Sequence, residues 1–286
     1  MAGQRRGAAS TLMAMPPDEH DRLRALEDDH WWYGVLHGLV LRELASLPGG
    51  KTLLDVGCGT GGLLAKVDGW RAQGIDASPH AIRHCRERGL QAVQVASAQH
   101  LPFADESFDV VTCLDVLYHE GVEEDRALSE MVRVLRPGGW LVFNVPAFDV
   151  LRGGHDASVC GARRYTASHM RRLLEGHSLE PKMLHYWNAW LFLPLLVRRR
   201  WGGAGASDLH RLPRWLNALL GLVGRMDAML ARWLRVPWGS SVFGCASKVQ
   251  ILGQVQDGRA LLRGIAPVNV GAVTRPLARH ELSNLP

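Results

Sequence analysis

Leu53-Leu54-Asp55-Val56-Gly57-Cys58-Gly59-Thr60-Gly61-Gly62 is the stretch on which the fold turns. A short apolar run opens into a cluster of glycines, the pattern of a buried strand whose end leaves the backbone free to approach a ligand. KTLLDV reads as the first strand, and the chain beyond the glycines, to about Trp70, as a helix whose N-terminus offers unpaired N–H groups. Gly57, Gly59 and Gly62 satisfy G-x-G-x-x-G, which alone does not choose between ligands. Asp55 makes the choice. A carboxylate two residues before the first glycine repels a pyrophosphate and suits a cationic amine. Asp76 closes the next strand, 21 residues beyond Asp55, where a carboxylate can accept from both hydroxyls of a ribose. The plainer alternatives are a turn former for Asp55 and a polar strand end for Asp76.

Working outward, AQGID, QAVQVA, FDVVTCL and WLVFNVP read as further strands, with helices from Pro79 to about Arg88 and from Glu124 to Leu135. Leu179 to His185 and SSVFGCASKV add two more strands. Strands that look buried on both faces and alternate with helices predict an α/β fold. The expectation is a doubly wound, mostly parallel seven-stranded sheet, with an N-terminal helical leader from Asp18 to about Leu47 and a helical insert before the last strand. The domain is expected over 18–249, with its core at 50–148 and the insert at about 187–238; 1–17 reads as a disordered leader and 250–286 as a poorly ordered tail.

These motifs resemble, in ordered register over about residues 30–150, the class I S-adenosylmethionine-dependent methyltransferases of type 11. DVGCGTG is similar to that family's first motif, and Gly74-Ile75-Asp76-Ala77 to its ribose-binding acidic loop. Ser97-Ala98-Gln99-His100-Leu101-Pro102-Phe103 is similar to the adenine loop, with Ser and Gln where two carboxylates are usual. Cys113-Leu114-Asp115 and LRPGGWLVF follow the fourth- and fifth-strand motifs. The resemblance implies S-adenosylmethionine as cofactor, held by Tyr33, Asp55, Gly57, Cys58, Gly59, Asp76, Ala77, Ala98, Gln99 and Leu114; the sequence itself shows no metal-ligand cluster, so no metal is expected. His30-Trp31-Trp32-Tyr33 and Arg163-Arg164-Tyr165 match the leader and tail of a subgroup. That subgroup carries an Arg soon after the aromatic leader and a His just before R-R-Y; here Gly34-Val35-Leu36 and Gly161-Ala162 stand instead, leaving His37 or Tyr33 to replace the Arg. His119 and Tyr165 are the catalytic candidates; His119 could equally cap the loop in which it lies.

Composition narrows the partners. The chain has 33 Lys+Arg against 28 Asp+Glu, a net charge of +5, and only four of the 33 are lysines. Arginines without basic runs argue against a nucleic-acid footprint, so no nucleic-acid partner is expected. Five scattered cysteines without a CxxC pair fit a reducing compartment, hence a cytoplasmic location, with peripheral membrane contact as an option for the insert. That insert holds eight arginines and two aspartates beside leucines, methionines and tryptophans at helical spacing. Its apolar stripe could cap a pocket, lie on an anionic membrane or cover the core. With Trp190, Leu193, Leu216, Leu220 and Met226 placed at the pocket mouth, the expected reaction is methyl transfer to a small apolar or amphiphilic acceptor. C-methylation of an isoprenoid diphosphate-like acceptor and a non-catalytic binding module on the same fold are the alternatives.

Overall fold

The computed structural model describes residues 16–47, 52–201, 211–234 and 236–250, without the side chains of His155 and Trp201. The expected tail beyond 250, most of the expected leader, and the Pro48–Gly50 and Gly202–Gly205 breaks lie outside the described residues.

Seven strands form one sheet: β1 (Thr52–Val56), β2 (Arg71–Asp76), β3 (Val93–Val95), β4 (Phe108–Leu114), β5 (Leu135–Pro146), β6 (Leu179–Trp187) and β7 (Ser241–Lys248). Their order is β3-β2-β1-β4-β5-β7-β6. The first five pair in parallel, and β7 runs antiparallel between β5 and β6. The expected mostly parallel sheet is therefore present. Its order reverses between β1 and β4, so β1 and β2 end beside the crevice where open α/β sheets hold ligands.

The helices are α1 (Pro17–Leu26), α2 (Trp31–Ser46), α3 (Pro79–Glu87), α4 (Glu124–Val134), the short α5 (Gly154–Ser158), α6 (Ala167–Gly176), α7 (Ala189–Trp201) and α8 (Arg214–Leu234). The leader is two helices rather than one, because the chain turns at 27–30 and His30 starts α2 afresh by accepting from the Trp32 N–H at 3.3 Å. Pro79 opens α3, and Ser78 caps it by accepting from the Ala81 N–H.

One expectation fails here. The chain between the glycines and Trp70 is not an α-helix; it holds only a 3-10 turn at Leu64–Lys66. The cause lies far away in sequence. Glu27, buried after α1, accepts from the Thr60 hydroxyl and from the Gly62 N–H at 3.1 Å, and Arg88 pairs with it at 2.8 Å. A side-chain Cβ at Gly62 would fall 2.1 Å from Glu27 Cδ, so only glycine lets the carboxylate in. Thr60 O, which in a helix would accept the N–H four residues on, accepts from Arg88 Nε at 2.8 Å instead.

Candidate active site

The carboxyl ends of β1, β2 and β4 open into one cavity of about 480 Å³, roofed by α1 and α2 and bordered by α7. Its floor is the glycine loop. Gly57 has φ +75°, and a Cβ there would meet Val116 Cγ2 at 2.2 Å. Gly57 and Cys58 both donate to Ile75 O, at 2.8 and 2.9 Å, which bends the loop back over the end of β2. Asp76 accepts from the Gly59 N–H at 3.0 Å and from the Ser78 N–H at 2.8 Å. It is thereby held at the cavity wall with a fixed carboxylate plane.

Three carboxyl groups gather at this end. Asp55 accepts from the Thr112 hydroxyl at 2.7 Å, and burial pushes its pKa up to about 7. Asp115, also lifted by burial to about 7, accepts from Asn144 Nδ2 at 2.9 Å. Asp76 is raised by burial to about 6. Asn144 is itself fixed by Trp187 Nε1 at 2.8 Å, and Trp187 stacks on Trp32 of the leader at 4.6 Å. An aromatic leader is thus tied through two side chains to a buried carboxylate. Glu19 and Glu27 add further acidic groups to the lining. Carboxylates desolvated at this density favour a cationic guest, whose charge lowers the cost of ionising them.

Of the residues singled out in the sequence, Tyr33, Asp55, Gly57, Cys58, Gly59, Asp76, Ala77, Ala98, Leu114 and His119 line this cavity. Two are placed elsewhere. Gln99 turns its amide away, donating to Gly121 O at 2.9 Å and accepting from the Glu123 N–H at 3.2 Å, so it ties two loops together. Tyr165 is 1% exposed, with its hydroxyl 2.9 Å from Leu117 O and 2.7 Å from Glu124 Oε2. Burial and the neighbouring Glu124 hold its phenol well above the ordinary value, and it is a structural brace outside the cavity lining rather than a catalytic group. Arg164 and Asp156, from the same region, do line the cavity and pair with each other at 2.9 Å.

His37 lines the cavity where a replacement for the subgroup's Arg was sought, yet it is no cation. Burial, with Lys66 beside it, lowers its pKa to about 3. Lys66 Nζ lies 3.0 Å from Nδ1, and an ammonium only donates, so the ring proton sits on Nε2. His119 has the opposite tautomer. Its Nδ1 donates to Val159 O at 2.7 Å, which leaves Nε2 as an acceptor.

Sequence reasoning passed over His20. It is buried at the cavity wall, neither ring nitrogen has a protein partner, and burial lowers its pKa to about 4. No spacing rule marks a histidine on a short leader helix. Nor does any bring Asp21 on α1 to His80 and His84 on α3, whose Nε2 atoms lie 2.8 and 2.9 Å from the same Asp21 oxygen. Those bonds hold α1 against α3 and so hold the cavity roof.

The insert corrects another expectation. Leu191, Leu195, Arg198, Arg199 and Leu212 line the cavity; Trp190, Leu193, Leu216, Leu220 and Met226 do not. The stripe of α8 faces away because its small residues Gly221, Gly224, Ala228 and Ala231 are the ones buried.

Residues 54–143, which contain the glycine loop and all three raised aspartates, match the family described as Methyltransferase domain, type 11. Those residues form a type 11, S-adenosylmethionine-dependent methyltransferase domain. Two curated relatives sharpen the comparison. A tRNA (carboxymethyluridine(34)-5-O)-methyltransferase of Arabidopsis thaliana is 39% identical over 104 residues, 36% of this chain and 26% of that protein. Methyltransferase GfsG of Streptomyces halstedii is 36% identical over 126 residues, 41% of this chain and 44% of that protein. The matched stretch thus spans less than half the length of either relative. Among solved structures, a geranyl diphosphate methyltransferase in complex with S-adenosylmethionine shares the fold, with a TM-score of 0.51 at 18% identity over 75% of this chain and 84% of that one.

These relatives overturn one expectation. Nucleic acid was excluded on composition, but a methyltransferase domain 39% identical to this one belongs to a tRNA-modifying enzyme. Charge balance describes a whole surface, whereas an acceptor is chosen at the mouth of one cavity, so the exclusion does not hold. For the cofactor the residues fit. S-adenosylmethionine carries an ammonium and a sulfonium, and buried Asp55 and Asp76 have no protein cation beside them, while Asp115 has only the influence of Arg164.

Proposed function

We propose that this methyltransferase domain acts on a small, amphiphilic acceptor, apolar in body with an anionic or hydroxylic end. The observation that carries the reading is the division of the cavity. Carboxylates crowd the ends of β1, β2 and β4, while Val122, Val159, Leu191, Leu195 and Leu212, with Arg198 and Arg199, contribute an apolar and cationic share from other elements. When bound, S-adenosylmethionine would supply an electrophilic methyl group on a sulfonium sulfur. Asp76 would hold the ribose, Asp55 and Asp115 would complement the cationic groups, and the leader roof would exclude water. The apolar wall rewards buried hydrocarbon at roughly 25 cal/mol per Å². Where the acceptor must lose a proton, His119 Nε2 takes it, oriented by the bond from Nδ1 to Val159 O. His20 remains neutral through the physiological range and offers the acceptor one donor and one acceptor.

The test is transfer of labelled methyl from S-adenosylmethionine to lipid-like, phenolic and isoprenoid acceptors, with bulk tRNA as a parallel substrate. The reading expects label in an amphiphile, saturable in both substrates, and a drop of roughly a hundredfold or more in His119→Ala for a hydroxyl acceptor. Label confined to tRNA would replace the amphiphile by nucleic acid. Cofactor binding without transfer to any acceptor would favour a binding module.

A further inference from the structure

The outer face of α8 is the largest feature that the methyl-transfer reading leaves unused. Three polar side chains fix how the helix is turned. Asn217 accepts from the Trp31 N–H at 2.9 Å, Asp227 accepts from the Asn188 and Ala189 N–H groups at the start of α7, and Arg232 pairs with Glu43 at 2.7 Å. Its ridge of Gly221, Gly224, Ala228 and Ala231 faces inward. A Cβ at Gly224 would already lie 3.1 Å from Val35 and 3.2 Å from Trp31. On the opposite side stand Trp215, Leu219, Leu222, Met226, Met229 and Trp233, every one exposed, Trp215 at 69% and Trp233 at 79%. From the first tryptophan to the second this stripe runs about 27 Å at 1.5 Å per residue. Arg214 and Arg225 follow one edge at helical spacing, Arg232 on the same edge is already paired with Glu43, and the single acid of the helix, Asp227, is turned onto α7. A row of hydrocarbon ended by tryptophans and bordered by arginines alone is unusual on water-facing protein.

We propose that this face of α8 docks the protein on an anionic membrane surface, with the helix lying in the plane of the headgroups. No helix among the described residues is long and apolar enough to cross a membrane, so α8 is suited to lie on one. Leucine and methionine enter the acyl boundary, tryptophan seats at the interface, and the arginines meet lipid phosphates. Charge argues against the other occupants. A two-fold pair of copies would set this arginine edge against its own like, with no acid on either stripe to answer it. Nucleic acid would engage the arginines and leave the leucines and methionines without a partner. The docking claim stands on α8 alone. Its link to function rests on the amphiphile reading: α7 sends Leu191 and Leu195 into the cavity while Leu193 and Val197 lie exposed on its other side, so a membrane-borne acceptor would have a short path inward.

The experiment is co-sedimentation of the full chain with vesicles of phosphatidylcholine alone or with roughly a third phosphatidylglycerol. Wild type is expected to bind the anionic vesicles, about tenfold less at molar salt. Trp215→Glu/Met226→Glu/Trp233→Glu should lose at least tenfold in binding, with circular dichroism and cofactor affinity unchanged. Arg214→Glu/Arg225→Glu should bind both vesicle types alike and weakly. Three results would overturn the proposal: no binding of wild type to anionic vesicles, undiminished binding by the triple variant, or a dimer in light scattering that the triple variant dissolves. Binding of tRNA by wild type that Arg214→Glu/Arg225→Glu loses, with no binding to either vesicle type, would assign the face to nucleic acid and overturn the proposal. Failure of methyl transfer to amphiphiles, with vesicle binding intact, would sink the acceptor reading and leave docking in place.

Discussion

Small residues do opposite things in the cofactor loop and in α8. In the loop, Gly57 and Gly62 clear space so that backbone and the Glu27 carboxylate come together, and the polar groups end up facing the cavity. In α8, Gly221 and Gly224 clear space for α2, and the large apolar residues end up facing out. The first region reads correctly from sequence because its glycines follow a strand and precede a ribose-spaced aspartate. In the second, an amphipathic pattern tells how residues divide between two faces and leaves open which face is inside. Contacts with Trp31, Glu43 and Asn188 decide that, and they come from elsewhere in the chain.

The comparison can be broken first at Glu27. If the loop is shaped by this clamp, Glu27→Ala removes the acceptor of the Thr60 hydroxyl and the Gly62 N–H and leaves Arg88, whose side chain is 8% exposed, to Asp28 and Thr60 O, and should cost about 1.5–3 kcal/mol in chemical denaturation. Cofactor affinity should fall with it. A loss below about 1 kcal/mol, typical of an exposed pair, would mean that the loop holds its shape unaided.

The α8 side is sharpened by setting its two faces against each other. Gly224→Val overfills the seam with Trp31 and Val35 and should destabilise by about 1–3 kcal/mol. Trp233→Glu, on the outer face, should change stability by no more than about 0.5 kcal/mol. Equal losses would mean that the outer face is covered after all.

A smaller effect separates the regions by pH. The free carboxyls of Asp55 and Asp115 sit near 7 and that of Asp76 near 6, because burial disfavours their charged forms. A cationic cofactor favours those charged forms and lowers the pKa values, so binding near pH 6.5 releases protons. Affinity for S-adenosylmethionine should therefore rise with pH from about 5.5 to 7.5 and then level off. The demethylated product, without the sulfonium charge, should depend on pH less. Calorimetry in buffers of different ionisation enthalpy reads the proton release directly, and uptake instead of release would contradict the acidic-site account.

The seven strands were legible because each is buried on a parallel sheet or bounded by turn residues, and Asp55 and Asp76 because a strand end fixes where a carboxylate points. The absent helix after the loop was not, since Glu27 acts on it from beyond α1. Tyr165 and Gln99 illustrate the same limit: a motif gives a residue's neighbourhood, and its hydrogen-bond partners Glu124, Gly121 and Glu123 settle its direction. His20 carried no signal at all, being one of 13 histidines with nothing in its spacing to set it apart.

The central claim is that the raised carboxylates at the ends of β1, β2 and β4 hold S-adenosylmethionine. Calorimetric titration of the cofactor into wild type, Asp76→Asn and Asp76→Ala tests it most directly. One binding event per chain is predicted for wild type, with a loss in Asp76→Ala of about 1.5–3 kcal/mol, roughly ten- to a hundredfold in affinity. Asp76→Asn, which keeps one oxygen for the Gly59 or Ser78 N–H, should lie between the two. Unchanged affinity in Asp76→Ala, with the protein folded, would contradict the account.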